Sequence, residues 1–260
     1  ITIPANIAPL NFKLEEDDYQ DSRLILACEN KKIEIKGRNG SFHIPANEWK
    51  DLASASIGKD IEALVCVKTG DRWMSFKPFY WHVAKEPADP YIAYRLIEPG
   101  YTLWHEMGIY QRSLEDYDQS AVIENKMTGN NCMNCHSFCN QDPDKMLFHM
   151  RKTYAGTYTY DGETIEKLNT KTERTISALV YPSWHPSGKY VAFTVNDTKQ
   201  AFHMNDPNRI EVFDMASDVV VYDVEKRELI TVPSLFSKQC YETFPTFSPV
   251  GRTLYFCTAA

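Results

Sequence analysis

Over residues 1–85 apolar positions alternate with polar ones, or run together, at the length of strands. Ser22-Arg-Leu-Ile-Leu-Ala-Cys-Glu29 and Lys32-Ile-Glu-Ile-Lys36 are two such stretches. Asp60-Ile-Glu-Ala-Leu-Val-Cys-Val67 and Arg72-Trp-Met-Ser-Phe-Lys77 form a predicted hairpin, with Thr69-Gly70-Asp71 as its turn. The spacing of apolar positions over 46–53 predicts a short helix. The predicted unit is therefore a β-sandwich over 1–85. Glu86-Pro-Ala-Asp-Pro90 marks its end, because closely spaced prolines suit neither a helix nor a central strand. Tyr91–Glu98, a Pro99-Gly100 turn and an aromatic- and Met-rich stretch over 101–114 follow. Residues 115–150 are rich in Asn, Asp and Gly and give little strand signal, so 86–155 reads as an irregular connecting segment.

From 156 onward the β pattern returns, and it repeats. Pro182-Ser-Trp-His-Pro-Ser-Gly-Lys-Tyr-Val-Ala-Phe-Thr194 aligns without gaps on Pro245-Thr-Phe-Ser-Pro-Val-Gly-Arg-Thr-Leu-Tyr-Phe-Cys257, and the two stand 63 positions apart. Each copy has a Pro, an aromatic, a Pro-x-Gly turn, a basic residue and an alternating strand. Val219-Val-Val-Tyr-Asp-Val224 lies between them as a further strand. The repeat resembles the blade signature of TolB-type β-propellers, Pro-x-aromatic-Ser-Pro-x-Gly-Lys-x-Ile-Ala-Phe, with His185 in place of Ser in the first copy and Val250 and Thr253 departing in the second. That resemblance implies propeller blades over 156–260. It also implies an incomplete set, one full blade and the start of another, because about four to eight blades close a propeller. A longer parent protein is the expectation. The 1–85 unit is similar to immunoglobulin-like or fibronectin-like modules.

The cysteines carry the candidate chemistry. Of seven, Cys132, Cys135 and Cys139 crowd the connecting segment, and His136 follows the second. Asn131-Cys-Met-Asn-Cys-His136 contains Cys-x-x-Cys-His, the attachment pattern of c-type haem. Two thiols at that spacing add to the two vinyl groups of a porphyrin, and the next residue offers an imidazole to the iron. Seven Cys and seven His among 260 residues give about 0.005 such motifs by chance. Resemblance to c-type cytochromes makes Cys132 and Cys135 the thioether donors and His136 the proximal ligand. For the sixth position the candidates are Met150 and His149, then Met107, Met127 and His105. Arg151 suits a haem propionate. Trp104, Tyr101 and Tyr110 are candidate pocket walls, although an aromatic cluster serves equally as core.

Two other readings of the cluster stay open. Cys132, Cys135, Cys139 and His149 are enough ligands for a tetrahedral zinc. A redox-active or disulfide Cys-x-x-Cys is the other, though no βαβ context accompanies it. Cys28 with Cys66, and Cys240 with Cys257, are candidate disulfides, with buried free thiols as the alternative. Covalent haem and disulfides both point to an extracytoplasmic compartment, periplasm or outer membrane.

Charge excludes one class of partner. The chain has 28 Lys and Arg against 35 Asp and Glu, a net charge of −7, and no basic stripe, so nucleic acid is not an expected partner. No apolar run reaches the ~18 residues of a membrane span. The chain begins at Ile1 without a leader, so membrane association is expected only through a removed lipid anchor. Gly-x-Ser-x-Gly, Walker, Gly-x-Gly-x-x-Gly and His-Glu-x-x-His motifs are missing from the sequence. The carboxylate pairs Glu15-Glu16 and Asp17-Asp18 read as a solvated loop. The composite resembles extracytoplasmic bacterial proteins, commonly envelope lipoproteins, that join a haem-motif segment to a TolB-like propeller. It implies electron transfer or redox sensing at one haem, with the β domains docking other envelope proteins or redox partners. An electron carrier is expected more than an enzyme. The competing expectation is a binding or scaffold protein whose Cys cluster is a zinc or disulfide staple.

Overall fold

A computed structural model describes residues 1–15, 18–97, 106–173, 175–207 and 210–260. The chain is mainly β, with one α-helix among the described residues. It divides into two compact units, residues 1–94 with 111–120 and residues 95–110 with 121–260. The proline-rich stretch at 86–90 therefore lies inside the first unit.

The first unit contains β1 (Thr2–Ile3), β2 (Phe12–Lys13), β3 (Asp21–Cys28), β4 (Lys31–Lys36), β5 (Ser41–Phe42), α1 (Ala46–Ala55), β6 (Asp60–Thr69), β7 (Arg72–Ser75) and β8 (Phe79–Val83). One sheet runs β1-β8-β6-β3-β4, with β7 also on β6, and β2 pairs with β5 as a separate ribbon. Alternation along β3 and β6 sends Leu24, Leu26, Ile61, Ala63 and Val65 to one face. That face packs into a core with Trp49, Leu52 and Ala53 of α1 and Phe42 of β5. Trp49 meets Trp81 edge-on at 5.7 Å and donates its indole N–H to the Ile7 carbonyl at 2.7 Å, so its one polar atom is satisfied when buried. The predicted helix and the hairpin are both present. Thr69 pairs with Arg72 across Gly70 and Asp71, and Gly70 takes the positive φ of 58° that a two-residue turn requires. The layer facing the sheet is made by α1 and the short ribbon.

Three strands, β9 (Tyr91–Ile97), β10 (Met107–Ser113) and β11 (Gln119–Glu124), form a sheet of order β11-β10-β9, through which the division between units runs.

The second unit continues with β12 (Met133–Phe138), β13 (Met146–Met150), β14 (Gly156–Tyr160) and β15 (Ile165–Leu168), a four-stranded antiparallel meander. A second meander follows from β16 (Leu179–Trp184), β17 (Tyr190–Phe202), β18 (Ile210–Asp223) and β19 (Glu228–Ile230). The hairpin of β20 (Tyr241–Phe247) and β21 (Leu254–Ala259) comes last. The segment expected to be irregular, 86–155, therefore carries the strands β9 to β13, and the boundary expected at 155 falls within the first meander. Its polar composition hid strands whose alternate positions (Met133; Met146, Phe148, Met150) are buried together. Leu147, Leu168 and Leu179 pack with Val191, Phe193, Val195, Val220 and Tyr222 between the two meanders.

The repeat is deeper than the sequence alignment. β16–β17 has a bulge between Val180 and Ser183, with Tyr181 at φ 51°, and β20–β21 has one between Thr243 and Thr246, with Phe244 at φ 53°. β12–β13 has the same bulge between Asn134 and Ser137, with Cys135 at φ 52°. Four residues past each bulge the turn closes alike. Cys139, His185 and Ser248 donate their backbone N–H to Lys145, Tyr190 and Thr253, and their carbonyls accept from Asp142, Gly188 and Gly251. So there are three copies among the described residues, and the Cys-x-x-Cys-His segment is the first of them.

Successive copies are joined by repeated contacts. A Cβ on Gly188 would lie 3.1 Å from the Cys139 sulfur, and one on Gly251 would lie 2.2 Å from His185 Nε2. Each glycine is thus the seat for a side chain from the preceding turn. Trp184 donates its indole N–H to the Ser137 carbonyl at 3.3 Å, and the Phe247 amide donates to Ser183 Oγ at 3.2 Å.

Candidate functional site

The strand that carries the cysteines is fixed at both ends. Asn131 is buried, donates to the Thr128 carbonyl and accepts from the Tyr154 amide at 2.9 Å. The Cys132 carbonyl accepts from the Arg151 amide at 2.8 Å, so the first thiol and the guanidinium start from adjoining backbone. Met133 is fully buried against Ile109, Met146, Phe148 and Met150, which anchors the strand between the two cysteines. The bulge then turns Cys135 into the left-handed region, and His136 follows. Bulges re-aim side chains in this way. A non-glycine residue at that φ costs on the order of 1 kcal/mol. Tyr181 and Phe244 bear the same strain, so it belongs to the repeat and is not special to the cysteine site.

Cys132, Cys135 and His136 are all half-buried. Burial pushes the Cys135 thiol up, against the lowering influence of the Tyr181 backbone amide, Arg151 and Arg95. Arg151 and Arg95 thus both favour the Cys135 thiolate. The His136 ring meets Phe138 edge-on at 6.2 Å.

The other predicted residues are dispersed by strand alternation. Met150 is 5% exposed in the apolar cluster with Met133 and Phe148. His149 points to the opposite face of β13, between the two meanders, and is also 5% exposed. Its Nδ1 is 3.3 Å from Thr157 Oγ1, which donates to the Leu179 carbonyl at 2.9 Å. Burial, with Arg151 nearby, lowers the His149 pKa to about 4 and leaves a neutral imidazole. Cys139 is buried in its turn against Gly188 and Lys145, and burial raises its thiol. Met107 is buried, Met127 is exposed, and Tyr110 donates to Glu124 at 2.8 Å. His105, Trp104 and Tyr101, like Glu98–Gly100, Glu16 and Asp17, lie outside the described residues.

Among the described residues no three His, Cys, Asp or Glu side chains are grouped to hold a metal ion. The zinc set of Cys132, Cys135, Cys139 and His149 is not gathered, because the turn and the strand pleat send its members to different surroundings. All seven cysteines are free. Cys28 and Cys66 lie in neighbouring strands of one sheet, where Cys66 pairs with Arg23, five residues along β3 from Cys28. At ~3.3 Å per residue they are too far apart for the ~6 Å that a disulfide spans. Cys257 pairs across from Thr243, not Cys240.

The donor chemistry at the motif fits covalent haem in two respects. Both thiols are unpaired and partly accessible, and an imidazole follows them directly. Sequence reasoning missed Arg95 and the two aromatic residues at the bulge positions, Tyr181 and Phe244. The signal was present: each of those two stands directly before the first Pro of its repeat, where Cys135 stands before His136.

No family model and no curated protein sequence matches the chain. Among solved structures, Porphyromonas gingivalis dipeptidyl peptidase 4 is similar over 65% of this chain and 28% of that one, at 14% identity and a TM-score of 0.40. A likeness that distant carries no argument about fold or activity. No helix among the described residues is long and apolar enough to cross a membrane.

Proposed function

We propose that this chain is the haem-carrying part of an extracytoplasmic c-type cytochrome-like protein of the cell envelope. One covalently bound haem would transfer or sense electrons, and the β domains would dock its partners. The observation that carries this reading is the Cys132-x-x-Cys135-His136 motif held on an anchored strand with both thiols free. Cys132 and Cys135 would each add S–H across a vinyl group, forming a carbon–sulfur bond while the hydrogen goes to the other vinyl carbon. His136 would present its imidazole to the iron. The haem, when bound, supplies one-electron exchange. Arg151, adjacent to Cys132 through the backbone, offers a guanidinium to a propionate. Met150, enclosed in the apolar cluster, is a core residue as it stands.

The architecture we read as blades of a β-propeller. Two four-stranded meanders and three copies of one bulged hairpin support this, since such sheets repeat around a propeller axis. The first unit we read as a sandwich-like docking module, its sheet backed by α1 and the ribbon. A pyridine haemochrome spectrum of denatured protein from the native source tests the haem reading. A c-type band that disappears on changing Cys132 and Cys135 to Ala supports it. A colourless protein from that source defeats it, and the binding or scaffold reading then takes its place.

A further inference from the structure

The three bulges put three side chains in a row. Cys135, Tyr181 and Phe244 occupy the same position of successive copies, all with φ between 51° and 53°. The row is continuous. β12, which carries Cys135, adjoins β16, which carries Tyr181, through the Trp184–Ser137 hydrogen bond, and the Tyr181 ring meets the Phe244 ring at 4.9 Å between centroids, tilted by 54°. Tyr181 is 39% exposed and Phe244 53% exposed, so each ring keeps an uncovered surface although it stands next to a packed inter-sheet contact. Scattered exposed aromatics need no explanation. Two that touch each other, on the strands next to the attachment motif, form an angled apolar shelf beside it. A large planar aromatic group tethered at Cys135 has such a shelf within reach. Covering it would remove the apolar surface of both partners from water.

We propose that Tyr181 and Phe244 are the surface on which the macrocycle carried by Cys132 and Cys135 lies. This inference rests on the haem reading and adds to it two binding residues from the neighbouring copies of the repeat. The hairpins after β12–β13 would then serve a purpose beyond scaffolding. They would shield one face of the group from water and fix its orientation.

The test uses haem-loaded full chain from a host that attaches c-type haem. Tyr181→Leu, Phe244→Leu and the double variant keep apolar bulk but lose the planar rings. Tyr181→Asn keeps a backbone that accepts positive φ should the Leu variant fail to fold. Haem content is read on denatured protein by pyridine haemochrome, and haem environment on native protein by Soret circular dichroism. The expected result is full attachment in every variant, with the Soret dichroism of the double variant falling at least twofold and each single variant lying between. Full attachment with wild-type Soret dichroism in the double variant overturns the shelf and leaves the haem reading intact. Absence of haem from the wild-type chain overturns both.

Discussion

The contact between the second and third hairpins allows a quantitative test of the repeat. Gly251 has φ +71°, and a Cβ there would fall 2.2 Å from His185 Nε2 and 2.6 Å from Cε1. The His185 ring is held from both ends: Nε2 bonds the Gly251 carbonyl at 2.9 Å, and Nδ1 lies 2.7 Å from Ser187 Oγ and accepts the Ser187 amide at 3.0 Å. It also meets Tyr190 and Phe247 edge-on. Gly251→Ala adds a left-handed alanine, about 1 kcal/mol, and displaces the ring from its carbonyl partner, about 1 kcal/mol more. The expected loss is about 2 kcal/mol in urea unfolding of this chain. In a His185→Ala background the steric part disappears, so the same glycine change should cost only about 1 kcal/mol. The double-mutant cycle should therefore show a coupling of about 1 kcal/mol. Strict additivity would refute the docking of one turn on the next.

Other consequences are simpler to read. Folding holds His149 near pKa 4 against about 6.5 in an unfolded chain, so the unfolded state binds the proton first as pH falls. Stability should be independent of this group above pH 6.5 and decline by up to ~3 kcal/mol as pH falls to 4, and His149→Leu should flatten that part of a urea-midpoint profile. Phe193, fully buried between the meanders, should cost about 3–5 kcal/mol when changed to Ala, and a loss below 1 kcal/mol would contradict that packing. Denatured apo-protein should titrate seven thiols without reductant, and haem-loaded protein should titrate two fewer. A disulfide at Cys28–Cys66 or Cys240–Cys257 would show as fewer thiols in the apo-protein.

The parts of the fold legible in the sequence were those set by local chemistry. The helix at α1, the Gly70 turn and the two Pro-x-Gly hairpins each depend on residues a few positions apart. The third copy of the hairpin stayed hidden because Asp142-Pro-Asp-Lys145 makes its turn one residue longer. Pro and Gly of the other two copies are also replaced there, by His136 and Asp142. Only the register, with Phe138 opposite Met146 as Trp184 is opposite Val191, exposes the equivalence. Cys132, Cys135 and His136 could be singled out because their chemistry fixes their spacing. His149 and Met150 could not be sorted, since neighbours on a strand face opposite ways and the strand itself was not recognised. The disulfide pairings failed for a related reason: strand membership does not say which face or which rung a cysteine occupies.

The most direct measurement is the intact mass of this protein from its native source, taken with a pyridine haemochrome spectrum after denaturation. The expected result is one haem of added mass and a c-type band, both lost when Cys132 and Cys135 are changed to Ala. A native-source chain of unmodified mass without that band would contradict it.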